Sequence, residues 1–194
     1  RSTLFPYTTL FRSPYRERAR RQRELIETRK REAQCALERL GVGTMICLDA
    51  QDGMLRDCDW AAQRLRSILL EVRPQLVYVP FYLEEHADHR AASQVLLDAV
   101  AATPLQFQCV GYEVWTPLFP NCLVRIDGTM PLKKEALGQY RSQLAEADYL
   151  HACVGLNAHR SAGLLGARGG YAEAFHISSL SEYREHYARF CAVK

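Results

Sequence analysis

Residues 76–90 read LVYVPFYLEEHADHR, a short apolar run followed at once by a charged segment with two histidines. A continuous apolar run that ends in proline is typical of a buried parallel strand. In open α/β sheets, ligands bind beyond the carboxyl ends of the strands, which is where His86 and His89 fall. Residues 90–97 then have helical spacing, so His89 is predicted to lie in the first turn of a helix.

The polar group at this strand end indicates a functional site. Two imidazoles around the carboxylate of Asp88 can hold a metal ion and orient a proton carrier. A single loop histidine is more often solvated or hydrogen-bonded within the protein than functional. The pair His86 and His89, placed directly after a buried strand, favours the functional interpretation over the structural one.

Length and composition indicate an ordinary globular protein. The chain has 194 residues, of which 48% are hydrophobic and 24% are charged, and these values fit a single domain, predicted over residues 14–194. No apolar run approaches the ~18–20 residues of a membrane span, so no membrane partner is expected. The seven cysteines are scattered and never spaced Cys-x-x-Cys, which favours reduced thiols in a cytoplasmic protein over a zinc ribbon or a disulfide framework.

The net charge of +3 is concentrated in residues 16–31, where arginines alternate with glutamates. A basic stripe of this kind can bind nucleic acid. A solvated helix face is favoured instead, because the glutamates are spaced for i,i+3 and i,i+4 pairs and no aromatic residue interleaves with the arginines. Nucleic acid is therefore not expected as a partner, and the sequence does not indicate an oligomeric state.

Apolar periodicity predicts alternating helices and strands. Residues 16–40 are predicted to form an amphipathic helix that ends at Gly41 and whose inward positions are Leu25, Ala33, Ala36, Leu37 and Leu40. The pattern further predicts strands at 44–48, 76–79, 107–115 and 122–126, helices at 60–72, 88–101 and 133–150, and a glycine-rich loop at 163–170. This alternation indicates an α/β fold with a parallel sheet.

Several short motifs follow one another along the chain. They are Arg29-Lys30-Arg31-Glu32, Leu40-Gly41-Val42, the Leu-x-x-x-Asp-Gly of residues 48–53, Arg73-Pro74, the His-x-Asp-His of residues 86–89, Tyr112-Glu113-Val114-Trp115, Tyr140-Arg141-Ser142-Gln143 and Tyr171-Ala172-Glu173-Ala174-Phe175. In this order they resemble the PIG-L or LmbE-like family of zinc-dependent N-acetylglucosaminyl deacetylases over about residues 14–185. The resemblance implies a Rossmann-like parallel sheet flanked by helices, here lacking its first strands. It also implies Zn²⁺ or another divalent metal as cofactor and an amino-sugar conjugate as the small-molecule substrate.

The resemblance also implies roles for the His-x-Asp-His residues. Hydrolysis of an acetamide needs a polarised carbonyl, an activated water and a proton for the leaving amine, and zinc supplies the first two. His89 matches the family's zinc ligand, His86 faces the reacting carbonyl, and Asp88 holds His86 in the correct tautomer. Spacing alone also allows the reverse assignment, with His86 on the metal.

Arg29 and Asp52 are the predicted substrate-binding residues, because both family motifs border the pocket. Each has a structural alternative. Arg29 lies in a densely basic helix, and Asp52-Gly53 is an ordinary turn pair. Without the resemblance, the structural alternative would be favoured for both residues.

One family segment has no counterpart in this sequence. Members open with Ala-His-Pro-Asp-Asp-Glu, which supplies two zinc ligands and the general base, and no such run occurs here. Residues 3–13 read like a translated sequencing adapter, so residues 1–13 are predicted to be non-native. The gene is accordingly expected to continue upstream of Pro14, where the metal-binding strand would be encoded.

Two functions follow as alternatives. The first is zinc-dependent hydrolytic deacetylation of an N-acetylglucosamine conjugate, with the present chain an incomplete and inactive form. The second is a non-catalytic sugar-binding or regulatory relative that lacks the catalytic strand.

Overall fold

The structure is a computed structural model that describes residues 14–164 and 169–191. The interpretation of residues 1–13 as non-native lies outside this described part. The helices are α1 (Pro14–Leu40), α2 (Asp59–Val72), α3 (Ala87–Val100), α4 (Met130–Leu137), α5 (Arg141–Leu144), α6 (Tyr149–Leu164) and α7 (Leu180–Cys191), with a short 3-10 helix at Leu55–Asp57. The strands are β1 (Leu76–Pro80), β2 (Gln108–Tyr112), β3 (Cys122–Arg125) and β4 (Ala172–Ser179).

The described residues form two compact units. The first comprises residues 14–45 and 128–155, in which α1 packs against α4 and α5. The second comprises residues 46–127, 156–164 and 169–191, and it contains the four strands together with α2, α3 and α7. That residues 14–194 form a single domain stays a prediction.

The four strands form one sheet in the order β1-β2-β4-β3, and α3 and α7 pack against it. The predicted α/β class with helices flanking a sheet is confirmed. Strand direction differs from the prediction, because only β1 and β2 pair in parallel. β4 runs antiparallel between β2 and β3, so the sheet is mixed rather than parallel.

β4 was not predicted as a strand. Its sequence alternates in burial, with Ala172 and Ala174 buried, but it contains alanine, glutamate and serine, which have low strand propensity. It is stabilised by ladders on both sides, to β2 and to β3. Long-range pairing thus overrides a weak local signal.

The predicted strand at residues 44–48 is wrong. The structure gives residues 42–50 no regular secondary structure, and Ile46 is exposed. A strand is stable only when a neighbour satisfies its backbone groups, and within residues 14–164 and 169–191 no strand pairs with this segment. Its apolar composition alone does not make it a strand.

The long N-terminal helix is confirmed as α1, and Gly41 follows it with a φ of 70°, the left-handed conformation expected after a helix end. Its predicted inward face is right at Ala36, which is buried, and wrong at Leu25 and Leu40, which are exposed. α5 contacts α1 at Glu32, whose carboxylate accepts from the backbone N–H and the hydroxyl of Ser142.

The predicted single helix at residues 133–150 is instead α4, α5 and the start of α6. Gly138 ends α4, and the Asp148 side chain accepts from the His151 N–H at 2.9 Å in the first turn of α6. Such side-chain caps favour new helix starts over continuation. Of the predicted loop at 163–170, residues 163–164 belong to α6 and residues 165–168 lie outside the described part.

The core of the sheet unit is mainly apolar and also contains a buried pair of hydroxyl groups. Its buried side chains are Leu69, Val79, Phe81, Tyr82, Leu96, Leu97, Ala99, Val100, Phe107, Cys109, Leu118, Ala174, Leu180 and Tyr183. The Tyr183 hydroxyl lies 2.7 Å from the Ser93 hydroxyl, which satisfies both groups away from water. This core fixes α3 against the strands and thereby places its first turn.

No helix within the described ranges is both long enough and apolar enough to cross a membrane.

Candidate functional site

The candidate site lies where the parallel strands β1 and β2 end. Pro80 and Tyr112 are paired at the last register position, so the segments that follow both strands begin at the same sheet edge. Residues 81–86 lead from β1 into α3, and residues 113–116 continue from β2. Carboxyl ends of neighbouring parallel strands are where α/β proteins place their ligands.

Glu84 is the carboxylate that joins these two segments. It is 1% exposed, and its Oε1 accepts from the backbone N–H groups of Val114, Trp115 and Thr116 at 2.9–3.0 Å. Its Oε2 lies 3.3 Å from Nδ1 of His89. Burial raises the pKa of Glu84, but the hydrogen bonds from these three amides and from His89 outweigh burial and hold the pKa below its ordinary value.

His89 lies in the first turn of α3, as predicted, and its side chain is 26% exposed. A histidine that binds a metal usually donates its second ring N–H to a carboxylate or carbonyl, which fixes the tautomer and the ring orientation. Glu84 offers His89 that acceptor. The contact engages Nδ1, which leaves Nε2 as the nitrogen suited to a ligand.

His86 is the N-cap residue of α3. Its Nδ1 accepts from the backbone N–H of Asp88 at 3.2 Å, and its ring centroid lies 4.7 Å from that of His89. An acceptor at Nδ1 places the proton of the neutral ring on Nε2. His86 therefore presents an N–H donor at Nε2, whereas the Glu84 contact favours a bare Nε2 on His89.

Asp88 makes contacts different from those predicted. Its two carboxylate oxygens accept from the backbone N–H groups of Gly53 at 2.6 Å and Leu55 at 3.1 Å. Among the described hydrogen bonds, the group that holds His86 is the Asp88 backbone N–H and not the carboxylate. The expectation that this carboxylate orients His86 is corrected accordingly, because both of its oxygens accept hydrogen bonds from the backbone of residues 53–55.

The contacts of Asp88 bring the Leu-x-x-x-Asp-Gly loop to the start of α3. Gly53 has a φ of 80°, which residues with a side chain rarely adopt, so glycine suits this turn. Asp52 is exposed on the same turn. Asp52 thus directly precedes the glycine whose N–H contacts Asp88, and its role in binding substrate stays a prediction.

Arg29 belongs to the other unit. Its guanidinium lies 3.3 Å from Glu146, and the Arg29 side chain is 34% exposed. Its Nε is buried and has no hydrogen-bond partner among residues 14–164 and 169–191. A role of Arg29 in binding substrate also stays a prediction.

Glu84 and the residues that fix its segment were not predicted from the sequence. Arg90 donates to the backbone oxygens of Glu84, at 2.7 Å, and of Glu85, while the Thr116 hydroxyl accepts from the Glu85 N–H at 3.0 Å. The local signal was an acidic pair between the apolar strand β1 and the His-x-Asp-His motif. β1 itself is only partly buried, since Leu76 and Tyr78 are exposed, so the expectation of a buried strand is wrong. A sequence pattern could not show which of the two glutamates turns inward.

A buried ion pair holds the segment after β2. Glu113 pairs with Arg160, and their side chains are 6% and 8% exposed. Glu113 also accepts from the Leu118 N–H at 2.9 Å, and Arg160 donates to the Leu118 carbonyl at 2.8 Å. The pair thus fixes the chain between residues 113 and 118.

Glu113→Gln is expected to lower the free energy of unfolding by about 3 kcal/mol, because Arg160 then keeps a buried charge without its counter-charge. Urea unfolding followed by circular dichroism measures this loss. Arg125→Gln is the matched control in the same unit, since it breaks the exposed pair Arg125–Asp127, and a loss below about 0.5 kcal/mol is expected. Equal midpoints for the Glu113→Gln variant and the wild type would rule out a structural role for the pair.

The side chains at this site can be compared with what a catalytic metal ion requires. His89, whose Nδ1 contacts the Glu84 carboxylate, is suited to bind a metal as one ligand. Catalytic zinc needs three protein ligands and an open position. In the part of the chain that the structure describes, no group of three His, Cys, Asp or Glu side chains could hold a metal. These residues fit one corner of a metal site and not a complete catalytic one.

The family comparison covers the site. The profile of the PIG-L family, described as GlcNAc-PI de-N-acetylase, matches residues 10–100, which include the loop at 48–53 and the His-x-Asp-His motif. The predicted resemblance to this family is confirmed.

Solved structures share the fold. The conserved protein TT1542 from Thermus thermophilus is 28% identical with a TM-score of 0.66, over 77% of this chain and 72% of that chain. The N,N'-diacetylchitobiose deacetylase from Pyrococcus horikoshii is 25% identical with a TM-score of 0.64, over 80% of this chain and 65% of that chain. The 4-carboxy-2-hydroxymuconate hydratase GalB from Pseudomonas putida is 17% identical with a TM-score of 0.57, over 78% and 71%. The similarity to GalB concerns the fold alone. Because GalB is a hydratase and the Pyrococcus protein is a deacetylase, the shared fold does not by itself identify a reaction.

Proposed function

We propose, for a chain whose residues 10–100 carry the PIG-L family signature, that the protein takes part in hydrolytic deacetylation of an N-acetylated amino-sugar conjugate. The substrate class in this proposal is an N-acetylglucosamine conjugate, and the cofactor is a divalent metal, zinc first. The similarity to a diacetylchitobiose deacetylase supports the reaction class. The chain spans 65% of that enzyme's length, so the activity is a proposal for this chain.

The contact between His89 and Glu84 is the observation that carries the proposal. A buried carboxylate behind a partly exposed imidazole at a strand end is the arrangement that supports a metal ligand. Because Glu84 engages Nδ1, the Nε2 of this partly exposed ring is the nitrogen left for a ligand. His89 is accordingly the proposed metal ligand of this segment.

His86 is the proposed group for the reacting carbonyl. Its Nε2–H can donate to the oxygen of the acetamide as negative charge develops there, and it can pass a proton to the leaving amine. The ring is held for this task by the Asp88 N–H on Nδ1. Asp88 acts on the same step indirectly, because its carboxylate secures the loop that carries Asp52.

Asp52 and Arg29 are the proposed substrate-binding residues. Asp52 is an exposed carboxylate on the turn that contacts Asp88, and it has the capacity to hydrogen-bond sugar hydroxyls. Arg29 offers five N–H donors for the same purpose, although part of its guanidinium already serves Glu146.

Purified 194-residue chain, supplied with zinc, is expected to release no acetate from an N-acetylglucosamine conjugate above the rate with zinc alone. The physical reason is the incomplete ligand set among the described residues. A coupled acetate assay measures it, with the same chain plus a chelator as the control. Zinc-dependent release by this chain would contradict the expectation and would require ligands beyond His89.

The alternative function, a non-catalytic sugar-binding or regulatory protein, is favoured by that same incomplete ligand set. The genomic sequence upstream of the codon for Pro14 separates the two. An in-frame Ala-His-Pro-Asp-Asp-Glu, together with zinc-dependent acetate release by the product of the complete reading frame, supports the deacetylase. A start codon directly before residue 14 supports the non-catalytic protein.

A further inference from the structure

Glu84 is a fully buried acidic side chain at the site, and it lies outside the His-x-Asp-His motif of residues 86–89. Both of its oxygens are engaged at once. Oε1 faces the backbone N–H groups of Val114, Trp115 and Thr116, while Oε2 faces Nδ1 of His89. The Trp115 N–H is also 3.1 Å from Oε2.

The geometry makes Glu84 an acceptor from every partner. Backbone N–H groups can only donate, so the three amides need oxygen lone pairs and not a carboxyl proton. A carboxylate that accepts from three amides has no proton to give to His89. The contact with His89 is then a hydrogen bond only when Nδ1 carries the proton.

The segment around Glu84 is fixed before any ligand arrives. Arg90 holds the carbonyls of Glu84 and Glu85, and Thr116 holds the Glu85 N–H. The ring of His89 therefore meets an acceptor whose own position is set by α3 and by the segment after β2. Such preorganisation is what keeps a ligand ring in one orientation.

We propose that Glu84 is a positioning residue that holds the neutral ring of His89 with its proton on Nδ1 and so presents a bare Nε2 to a divalent metal. The part of this proposal that concerns metal binding rests on the proposed function. The part that concerns the position of the proton on His89 does not depend on any activity.

Glu84→Gln tests the tautomer with almost no change in shape. The glutamine oxygen can replace Oε1 and accept from the three backbone amides, and its amide group then replaces Oε2 beside His89. That amide group donates, so Nδ1 of His89 must become an acceptor. The substitution is expected to move the proton of the His89 ring from Nδ1 to Nε2.

Nitrogen-15 NMR of the imidazole rings in the metal-free 194-residue chain measures the tautomer directly. At about pH 8, where an ordinary histidine is neutral, wild-type His89 is expected to show a protonated Nδ1 and a bare Nε2. The His89 signals are assigned by their loss in His89→Gln. Glu85→Gln is the matched control, since this exposed neighbour makes its described hydrogen bonds through the backbone, and it should keep the wild-type tautomer.

The zinc-binding part of the proposal is tested in the product of the complete reading frame, since the described residues supply one ligand only. Its zinc affinity should fall about 10–100-fold in Glu84→Gln, the usual effect of losing such a partner, and should stay at the wild-type value in Glu85→Gln.

Two results overturn the proposal. One is a protonated Nε2 on His89 in the wild type, which decides the matter even if Glu84→Gln does not fold. The other is a folded Glu84→Gln whose His89 tautomer is unchanged. If the tautomer shifts as expected while the product of the complete reading frame releases no acetate, the proposed function fails and the positioning of His89 by Glu84 stands.

Discussion

His89→Ala, made in the product of the complete reading frame, is expected to empty the metal site and to reduce deacetylation to the background rate. In the proposed function His89 is one of three protein ligands, and two ligands alone would not hold a catalytic metal in an open tetrahedral site. Metal content per protein, measured by mass spectrometry after dialysis, should fall from about one to near zero.

His159→Ala is the control for this substitution. His159 is an exposed histidine on α6 in the same unit as the site, so its loss should leave metal content and rate unchanged. Full metal occupancy in His89→Ala would remove His89 from the ligand set.

His86→Ala is expected to leave the metal bound and to lower kcat by about 10²–10⁴, the usual effect of losing one acid–base or oxyanion group. Because His86 also caps α3, alanine should cost about 1 kcal/mol of stability as well. Steady-state kinetics beside metal analysis separates the two histidines. An empty site in His86→Ala with a filled one in His89→Ala would reverse the assignment.

His86→Asn separates the chemical role of His86 from its capping role. Asparagine is a strong N-cap, so its side chain can accept from the Asp88 N–H and restore the stability lost in the alanine variant. It has no imidazole to move a proton, so kcat should stay as low as in His86→Ala. Recovery of kcat in His86→Asn would show that the residue matters only as a cap.

The parts of the fold that were predicted correctly depend on local signals. β1 was visible as an apolar run ending in Pro80, and α3 as the helical spacing that follows it. The end of α2 was visible in Arg73-Pro74, because proline disfavours the helical conformation of the residue before it. Arg73 indeed has a non-helical φ of 48°. Each of these signals lies within a few residues of the element that it predicts.

The parts that were missed depend on distant partners. β4 is a strand because β2 and β3 pair with it, and the segment 44–48 is not one because no described strand does. The same distinction holds in the site. His86 and His89 were visible in one short motif, whereas the partners of Glu84 lie about 30 residues further on, in a segment whose position follows only from the sheet.

Asp88 shows the limit of assigning roles from a motif. Its place between two histidines indicated a carboxylate that orients an imidazole. The loop at 53–55 supplies two backbone donors that compete for the same oxygens, and the structure gives the carboxylate to that loop. A motif indicates which side chains are near one another. The role of each side chain also depends on hydrogen-bond partners from other segments of the chain.

The central claim is that His89 is a metal ligand through Nε2, with Glu84 behind it. A crystal structure of the product of the complete reading frame with zinc, using anomalous scattering at the zinc edge, tests it most directly. Zinc is expected about 2.0–2.1 Å from Nε2 of His89, with Nδ1 still hydrogen-bonded to Glu84 and with His86 not bound to the metal. Zinc bound to His86 instead, or a fully occupied zinc site that excludes His89, would contradict it.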